Sequence, residues 1–457
     1  MNGTGHSSIA EVGGVSESES RERSQGRLMG GVALLQSRWL KSGLGQSDIV
    51  PGHCLGRFAS VGDRWVFESN RDGTNEVGQG EPLSQLDRIV QTAVRRHPQA
   101  GAIGYVAYEA GYAWVGLASP EDNTDPFRVP QVQFLVFDSL RAAEPKPGLE
   151  SAKPRWKAYS RDRLLALVNS SDVHRTVGRG RYLDAVRLIK KHIRAGDIYQ
   201  ANYTQAFDMS TAREGMEIYR DLAASNPAPF AAYLRFHPLR WDLRTGESLV
   251  FPEVEVISNS PERFWKKTGS LIETRPIKGT IARGDTSQAD RGNRRQLLTS
   301  PKDRAELLMI TDLERNDLGR FAEIGSVKVQ ALRRTRACSS IWHLESVVTA
   351  QAHSDVRWHH IMQCMFPGGS ITGAPKRRAM EILRDLEPVP RGVYCGAIGW
   401  ISAAGDADFS IAIRTAVKVG KNVRIFGGGG IVADSDPEAE YEESLVKIAP
   451  ILEYLCR

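Results

Sequence analysis

Apolar and polar positions along the chain change period several times, and each change predicts an element. After Ser84, a residue type that caps helices, Leu86, Ile89, Val90 and Val94 recur at helical spacing until Pro98. Residues 101–112 and 132–137 are apolar and aromatic in short runs and read as strands. Residues 179–195 place Tyr182, Leu183, Val186, Ile189 and Ile193 on one helical face, with Gly196 where a C′ residue belongs. Residues 196–205 alternate polar and apolar, the pattern of a half-buried strand. A helix over 301–315 opens with Pro301 and carries Leu307, Leu308, Ile310 and Leu313. Residues 410–416 read as one strand, and a second leads through Val423 to Phe426 into four glycines. Asp436 as N-cap and Pro437 at N1 start a last helix bearing Leu445, Ile448 and Leu452.

These elements divide unevenly. Residues 1–28 are rich in Ser, Gly, Glu and Arg and too poor in large apolar groups to offset ordering entropy, so a disordered tail is expected. Residues 29–145 form a mixed N-terminal subdomain, 146–176 a proline- and charge-rich connection, and 177–457 the main segment. No apolar run approaches the roughly 20 residues needed to span a bilayer, and no signal-peptide core is present, so no membrane partner is expected. Five cysteines, an odd number without a CxxC pair, argue against a disulfide framework or zinc site and suggest a reducing cytoplasm. The net charge of +6 comes from scattered arginines, which argues against nucleic acid and leaves room for a small anionic substrate.

Candidate chemistry centres on Lys278, set between Ile277 and Gly279 with Leu271, Ile272 and Ile281 expected buried around it. An amine in apolar surroundings loses hydration, its pKa falls, and it becomes a nucleophile; the plainer reading is a lysine snorkelling to water. Glu262, sixteen residues earlier on the other arm of an expected hairpin, offers a proton donor or acceptor, or a simple cross-strand ion pair. Asp303 with Glu306, and Glu440 with Glu443, fall at i, i+3 on two helices. If the helices converge, a hard cation such as Mg²⁺ would relieve the repulsion; if not, they are solvated faces. The glycine-rich loop 366–376 opens a helix whose free N–H groups suit an oxyanion, without the ending of a nucleotide-binding loop. Arg414 near the glycine run could fork onto a carboxylate. Gly52-His53-Cys54-Leu55-Gly56 has the form of an amidotransferase nucleophile elbow, but too little chain precedes it and no His–Glu pair follows, so Cys54 is not read as a nucleophile.

In order and approximate spacing, SPERF, PIKGT, DLERNDLGR, FPGGSITGAPKRRAMEIL, YCGAIGW and GGGIVADSDPEAEYEESLVKI resemble the chorismate-utilising enzymes over nearly all of residues 179–457. The resemblance implies an α+β fold of two large, mostly antiparallel sheets packed together with helices outside. It implies Mg²⁺ on Glu306 and Glu443, with Asp303 and Glu440 in support, gripping the ring carboxylate of chorismate. Lys278 would attack C2 as Glu262 protonates the departing 4-hydroxyl, and ammonia would then enter at C4 and expel the lysine, leaving 4-amino-4-deoxychorismate for para-aminobenzoate and folate synthesis. Gln200 stands where water-adding members carry a basic lysine, which favours ammonia. His343 would orient the ring, while Arg414, Tyr394, Gly428, Gly429 and Gly430 hold the enolpyruvyl carboxylate and Thr372 and Gly373 touch substrate. A glutaminase subunit on a separate chain is implied as the ammonia source. The rival expectations are an anthranilate-forming member, which has alanine at the position of Lys278, and an inactive binding subunit. Residues 237–253 look like an insertion that lengthens a hairpin or alters a partner surface.

Overall fold

A computed structural model describes residues 31–36, 47–120, 125–143, 160–170, 172–242, 248–338 and 341–455. The expected tail, and 146–159 of the expected connection, lie outside these residues.

Alternation at period two yields two large sheets in which every pairing between named strands is antiparallel. The first, of ten strands, is centred on Gln200–Ser210, Asn422–Ile431, Thr415–Val419, Val254–Ser260 and Phe230–Phe236. The second, of twelve, contains Arg263–Thr268, Leu271–Thr274, Ile277–Ala282, Ile341–Gln351, Ala407–Ile411 and Ala397–Ser402. Strands before residue 145 enter both: Gly31–Gln36 joins the first sheet, and Gly101–Val106 and Val132–Phe137 join the second. The N-terminal segment is therefore woven into the same two layers as the rest.

Between the sheets lie Ile103, Tyr105, Leu135, Leu234, Phe236, Val254, Val256 and Ile398. The outer face of the first sheet is covered by the helices Arg179–Arg194, Gly215–Ser225 and Pro437–Leu455, through Tyr182, Val186, Ile218, Leu222, Tyr441, Leu445 and Ile448. The helices Pro82–Val94 and Trp358–Met365 cover the second through Leu86, Ile89, Val90, Trp358 and Met362.

Some expectations change. The first helix is capped by Glu81, whose carboxylate accepts from the N–H groups of Leu83 and Ser84, so Ser84 lies inside the first turn. Residues 101–112 are a strand followed by a short helix, Ala110–Trp114. Within the expected connection, Arg161–Val168 is a helix and Val173–Arg175 a strand paired with Gln200–Ser210. The 237–253 insertion is a separate two-stranded unit, Leu239–Asp242 with Ser248–Phe251, which buries Leu239, Trp241 and Phe251 against Ala59 and Val66. Cys54 opens an ordinary strand, and burial pushes its thiol up to about 11, consistent with a role outside nucleophilic chemistry.

The 410–416 run is two strands. Ala407–Ile411 belongs to the second sheet and Thr415–Val419 to the first, with Arg414 at φ 52° in the crossing. Ser260-Pro261-Glu262-Arg263 makes the opposite crossing, from first sheet to second.

The last helix packs closely on the glycine run, since a Cβ on Gly427 would stand 2.3 Å from the Ser444 carbonyl oxygen. Gly427→Ala is expected to cost about 1–3 kcal/mol by overpacking, read as a lower melting temperature.

Candidate active site

The two crossings are stitched to each other. Ile411 N–H donates to the Glu262 carbonyl at 3.1 Å, Asn259 N–H to the Arg414 carbonyl at 3.1 Å, and Ser260 Oγ to the Ile411 carbonyl at 2.6 Å. Glu262 and Arg414 thus enter one gap between the sheets, a cavity of about 480 Å³. The expected hairpin is modified: Leu271–Thr274 and Ile277–Ala282 run end to end along Ile341–Gln351, broken at Pro276. Lys278 is the second residue of the second piece, and the N–H of Ile277, which begins it, donates to Glu262 Oε1 at 3.3 Å. Of the apolar flanks expected around the lysine, Ile272 is buried, Ile281 is partly exposed and Leu271 is 43% exposed, because Leu271 sits at the far hairpin turn.

Lys278 Nζ lies inside the cavity, 3.4 Å from the Ser370 carbonyl oxygen and 3.3 Å from where a Cβ on Gly430 would be. Burial raises the Glu262 carboxyl above the usual range against the pull of Lys278, which favours its protonated form. His343 is held far below its usual pKa by burial and by the guanidiniums of Arg336 and Arg414, so its ring is neutral. Its Nδ1 pairs with Thr280 Oγ1 at 2.8 Å, and its buried Nε2 has no protein partner. Tyr394 lines the cavity and stacks on Phe426 with centroids 4.9 Å apart. Among the described residues Arg414 has no carboxylate partner, and burial lowers its pKa. An anion entering here would meet an uncompensated guanidinium.

The carboxylate helices do converge. Asp303, Glu306, Glu440 and Glu443 all line the cavity. Lys302 reaches Glu440 at 3.3 Å and Glu306 at 3.9 Å, and Lys447 reaches Glu443 at 2.8 Å. Among the described residues no three His, Cys, Asp or Glu are arranged to hold a metal ion in this conformation, and lysines supply the countercharge. The donor set nevertheless suits a hard cation: Glu306 Oε1 is buried with no hydrogen-bond partner, and Asp303, Glu440 and Glu443 bring further carboxylates to the same cavity.

Other expected residues sit just behind this surface. Gln200 is fully buried beside Gly430, with neither amide atom paired. Gly428 and Gly430 line the cavity, while a Cβ on Gly429 would point at Glu440 and Glu443. Thr372 is buried, bonding the Gly368 carbonyl, and Gly373 pairs with Ala201; both brace the frame. The glycine-rich loop contributes Ser370 and Ile371, but its helix N-terminus does not face the cavity; Lys376 there is tied to Asp317 and the Met365 carbonyl. Asn202, Ser370, Lys302 and Lys447 line the site without having been singled out. The two lysines were accessible through spacing, at i−4 from Glu306 and i+4 from Glu443.

The recess brings an acid, an amine and an unpaired guanidinium together away from bulk water, an arrangement whose size and charge suit a compact carboxylic acid. The chain belongs to the chorismate binding enzymes, a family matched over residues 45–453. It is 33% identical to aminodeoxychorismate synthase component 1 of Escherichia coli (strain K12), over 92% of each chain. It is 34% identical to anthranilate synthase component 1 1 of Haloarcula marismortui, over 76% of this chain and 74% of that one. Among solved structures, anthranilate synthase component I from Streptococcus pneumoniae TIGR4 superposes with a TM-score of 0.68 at 26% identity, covering 88% and 91% of the two chains. An isochorismate synthase from Bacillus anthracis, DhbC, shares the fold with a TM-score of 0.68 at 17% identity, covering 96% of this chain and 99% of that one. The expected α+β architecture of two large antiparallel sheets is the one observed.

Beneath the cavity, Glu314 accepts from Thr274 Oγ1 at 3.2 Å, and burial, then the charge of Asp317, pushes its carboxyl up to about 8. The unfolded carboxyl ionises near pH ~4, so between that pH and the folded pKa the folded chain holds the extra proton and stability falls as pH rises. Glu314→Gln is expected to melt higher than the parent at pH 8, with the gap closing by pH 5, as followed by thermal denaturation at both pH values.

Proposed function

We propose that this chain aminates chorismate at C4, giving 4-amino-4-deoxychorismate and water, with ammonia supplied by a glutaminase subunit on a separate chain. The observation that carries this reading is the Lys278 amine inside the cavity, next to the Glu262 carboxyl and the Gly430 backbone. The Lys278 nitrogen lone pair forms a bond to C2, the ring double bond shifts, and the C4–O bond breaks as Glu262 gives its proton to the departing hydroxyl. Ammonia then bonds to C4, and the displaced electron pair returns to Lys278. Arg414 and the Tyr394 hydroxyl hold the enolpyruvyl carboxylate, and neutral His343 presents its free ring nitrogen to the substrate. Mg²⁺ would be held by Glu306 and Glu443, with Asp303 and Glu440 in support, and would supply positive charge against the ring carboxylate. Gln200 offers an amide where a water-activating base would otherwise stand, which disfavours hydration.

Relatives named as anthranilate synthases match at similar identity, so anthranilate formation is the second reading. Incubation of the purified chain with chorismate, Mg²⁺ and ammonium, followed by product mass, separates the two: anthranilate with pyruvate would reverse the assignment. Chorismate binding without turnover would make the chain a binding subunit. Glu262→Gln should lower kcat by about 10²–10⁴ through loss of the proton donor. Lys278→Ala should impair C4 amination and leave Mg²⁺ affinity nearly intact in titration calorimetry, and C4 amination at the parent rate would remove the covalent role.

A further inference from the structure

Lys302 lines the cavity and has no part in the reaction proposed above. It stands in the first turn of the helix Pro301–Gly319, whose N-cap Ser300 accepts the Asp303 N–H. A cation there meets the positive end of the helix dipole, so the helix itself gains nothing from it. What holds the ammonium lies across the cavity wall. Its Nζ is 3.3 Å from Glu440 Oε1, on the last helix, and 3.9 Å from Glu306 Oε1, one turn along its own. One positive charge thus bridges a carboxylate from each of the two converging helices.

The carboxylates are fixed and the lysine is not. Glu440 is buried, and the same Oε1 accepts from Ser435 Oγ at 2.6 Å. Glu306 Oε1 is sealed from water and has no hydrogen-bond partner. Lys302 is half exposed, on a flexible four-carbon stem. Lys447, the other ammonium at this end of the cavity, is pinned twice, by Glu443 and by the Gly428 carbonyl, each at 2.8 Å.

Building on the Mg²⁺ part of the reading above, we propose that Lys302 is an exchangeable countercation: its ammonium competes with Mg²⁺ for the same pair of carboxylates, so this side chain sets how tightly the chain takes the metal. A single and a double positive charge a few ångströms apart repel each other, and the lysine stem lets its head withdraw into water. The apparent affinity for the metal is then lower than that of the carboxylates alone, by the factor needed to draw the ammonium away. A lysine that braced the metal site would act in the opposite sense, since removing it would loosen the metal.

The test is Lys302→Met in the full chain, which keeps an unbranched side chain and removes its charge. Titration calorimetry with Mg²⁺ alone should give a Kd about fivefold lower than that of the parent, or lower still. Thermal denaturation should move the other way: in chelator the variant melts below the parent, because its carboxylates have lost their countercharge, and saturating Mg²⁺ closes the gap. The amine can also be followed directly. Amine-selective acylation of the parent chain, located by mass spectrometry, should modify Lys302 severalfold faster in saturating Mg²⁺ than in chelator. A folded variant with unchanged or weaker Mg²⁺ affinity would overturn the exchange. So would equal acylation of Lys302 in the two conditions, a result that needs no variant to fold. A parent chain that takes up no Mg²⁺ is a separate outcome, which removes the metal from the reading above and the exchange with it; C4 amination is judged independently, by product mass.

Discussion

Two antiparallel sheets can enclose a reactive space only if something polar is carried into the gap, and here the paired crossings at Ser260–Arg263 and Ile411–Thr415 do so. The backbone hydrogen bonds that bind one crossing to the other leave Glu262 and Arg414 little freedom to leave the gap. Arg414 adopts φ 52°, a conformation costly for a non-glycine residue, of order 1–3 kcal/mol. The surrounding ladder holds it there, and the guanidinium then faces the cavity with no carboxylate partner among the described residues. Strain and an uncompensated charge at one residue are what a site prepared for an anion would show.

Around that centre the buried charges of Arg336 and Glu345, which do not face the cavity, are paired. Arg336 donates to Glu345 Oε2 at 2.7 Å and to the Pro261 carbonyl at 3.2 Å, and Arg334 closes on the other oxygen of Glu345. Glu345 is opposite Ile277 in the ladder, so this arginine–glutamate–arginine group ties the loop of Glu262 to the strand of Lys278. Breaking a buried pair by removing one partner costs about 3–5 kcal/mol, whereas an intact one adds little to stability. Its contribution here is geometric: acid and amine are fixed relative to each other before any substrate arrives.

Much of this was legible in the chain, and the limits have a physical cause. The helix Arg179–Arg194 with Gly196 at φ 80° follows from its amphipathic stripe, and Asp436 does accept the Ala439 N–H at the start of the last helix. Such features are local, and local patterning reports them. The crossing at Arg414 is not local: the isoleucine- and threonine-bearing run 410–416 reads as one strand, and only the partner strands show that it changes sheets. The same holds for Leu271, whose exposure depends on where the hairpin turns, and for Gln200, whose isolation depends on Gly430. A cavity of about 760 Å³ apart from the candidate site left no trace in any motif, because its walls come from segments as distant as Val61 and Phe426.

The acidic end of the cavity follows the same division between fixed and adjustable parts. Glu440 is 3% exposed and anchored by Ser435 Oγ at 2.6 Å, so its position is set by the fold. Lys302, its countercharge, is 48% exposed, and an ion pair with so wet a partner contributes about 0–1 kcal/mol. Lys447 and Glu443 are similarly open, on one turn of one helix. Lys447 is held additionally by donating to the Gly428 carbonyl at 2.8 Å, so of the two lysines Lys302 is the more loosely tied. The lysines keep the carboxylates from repelling one another, so the two helices can converge.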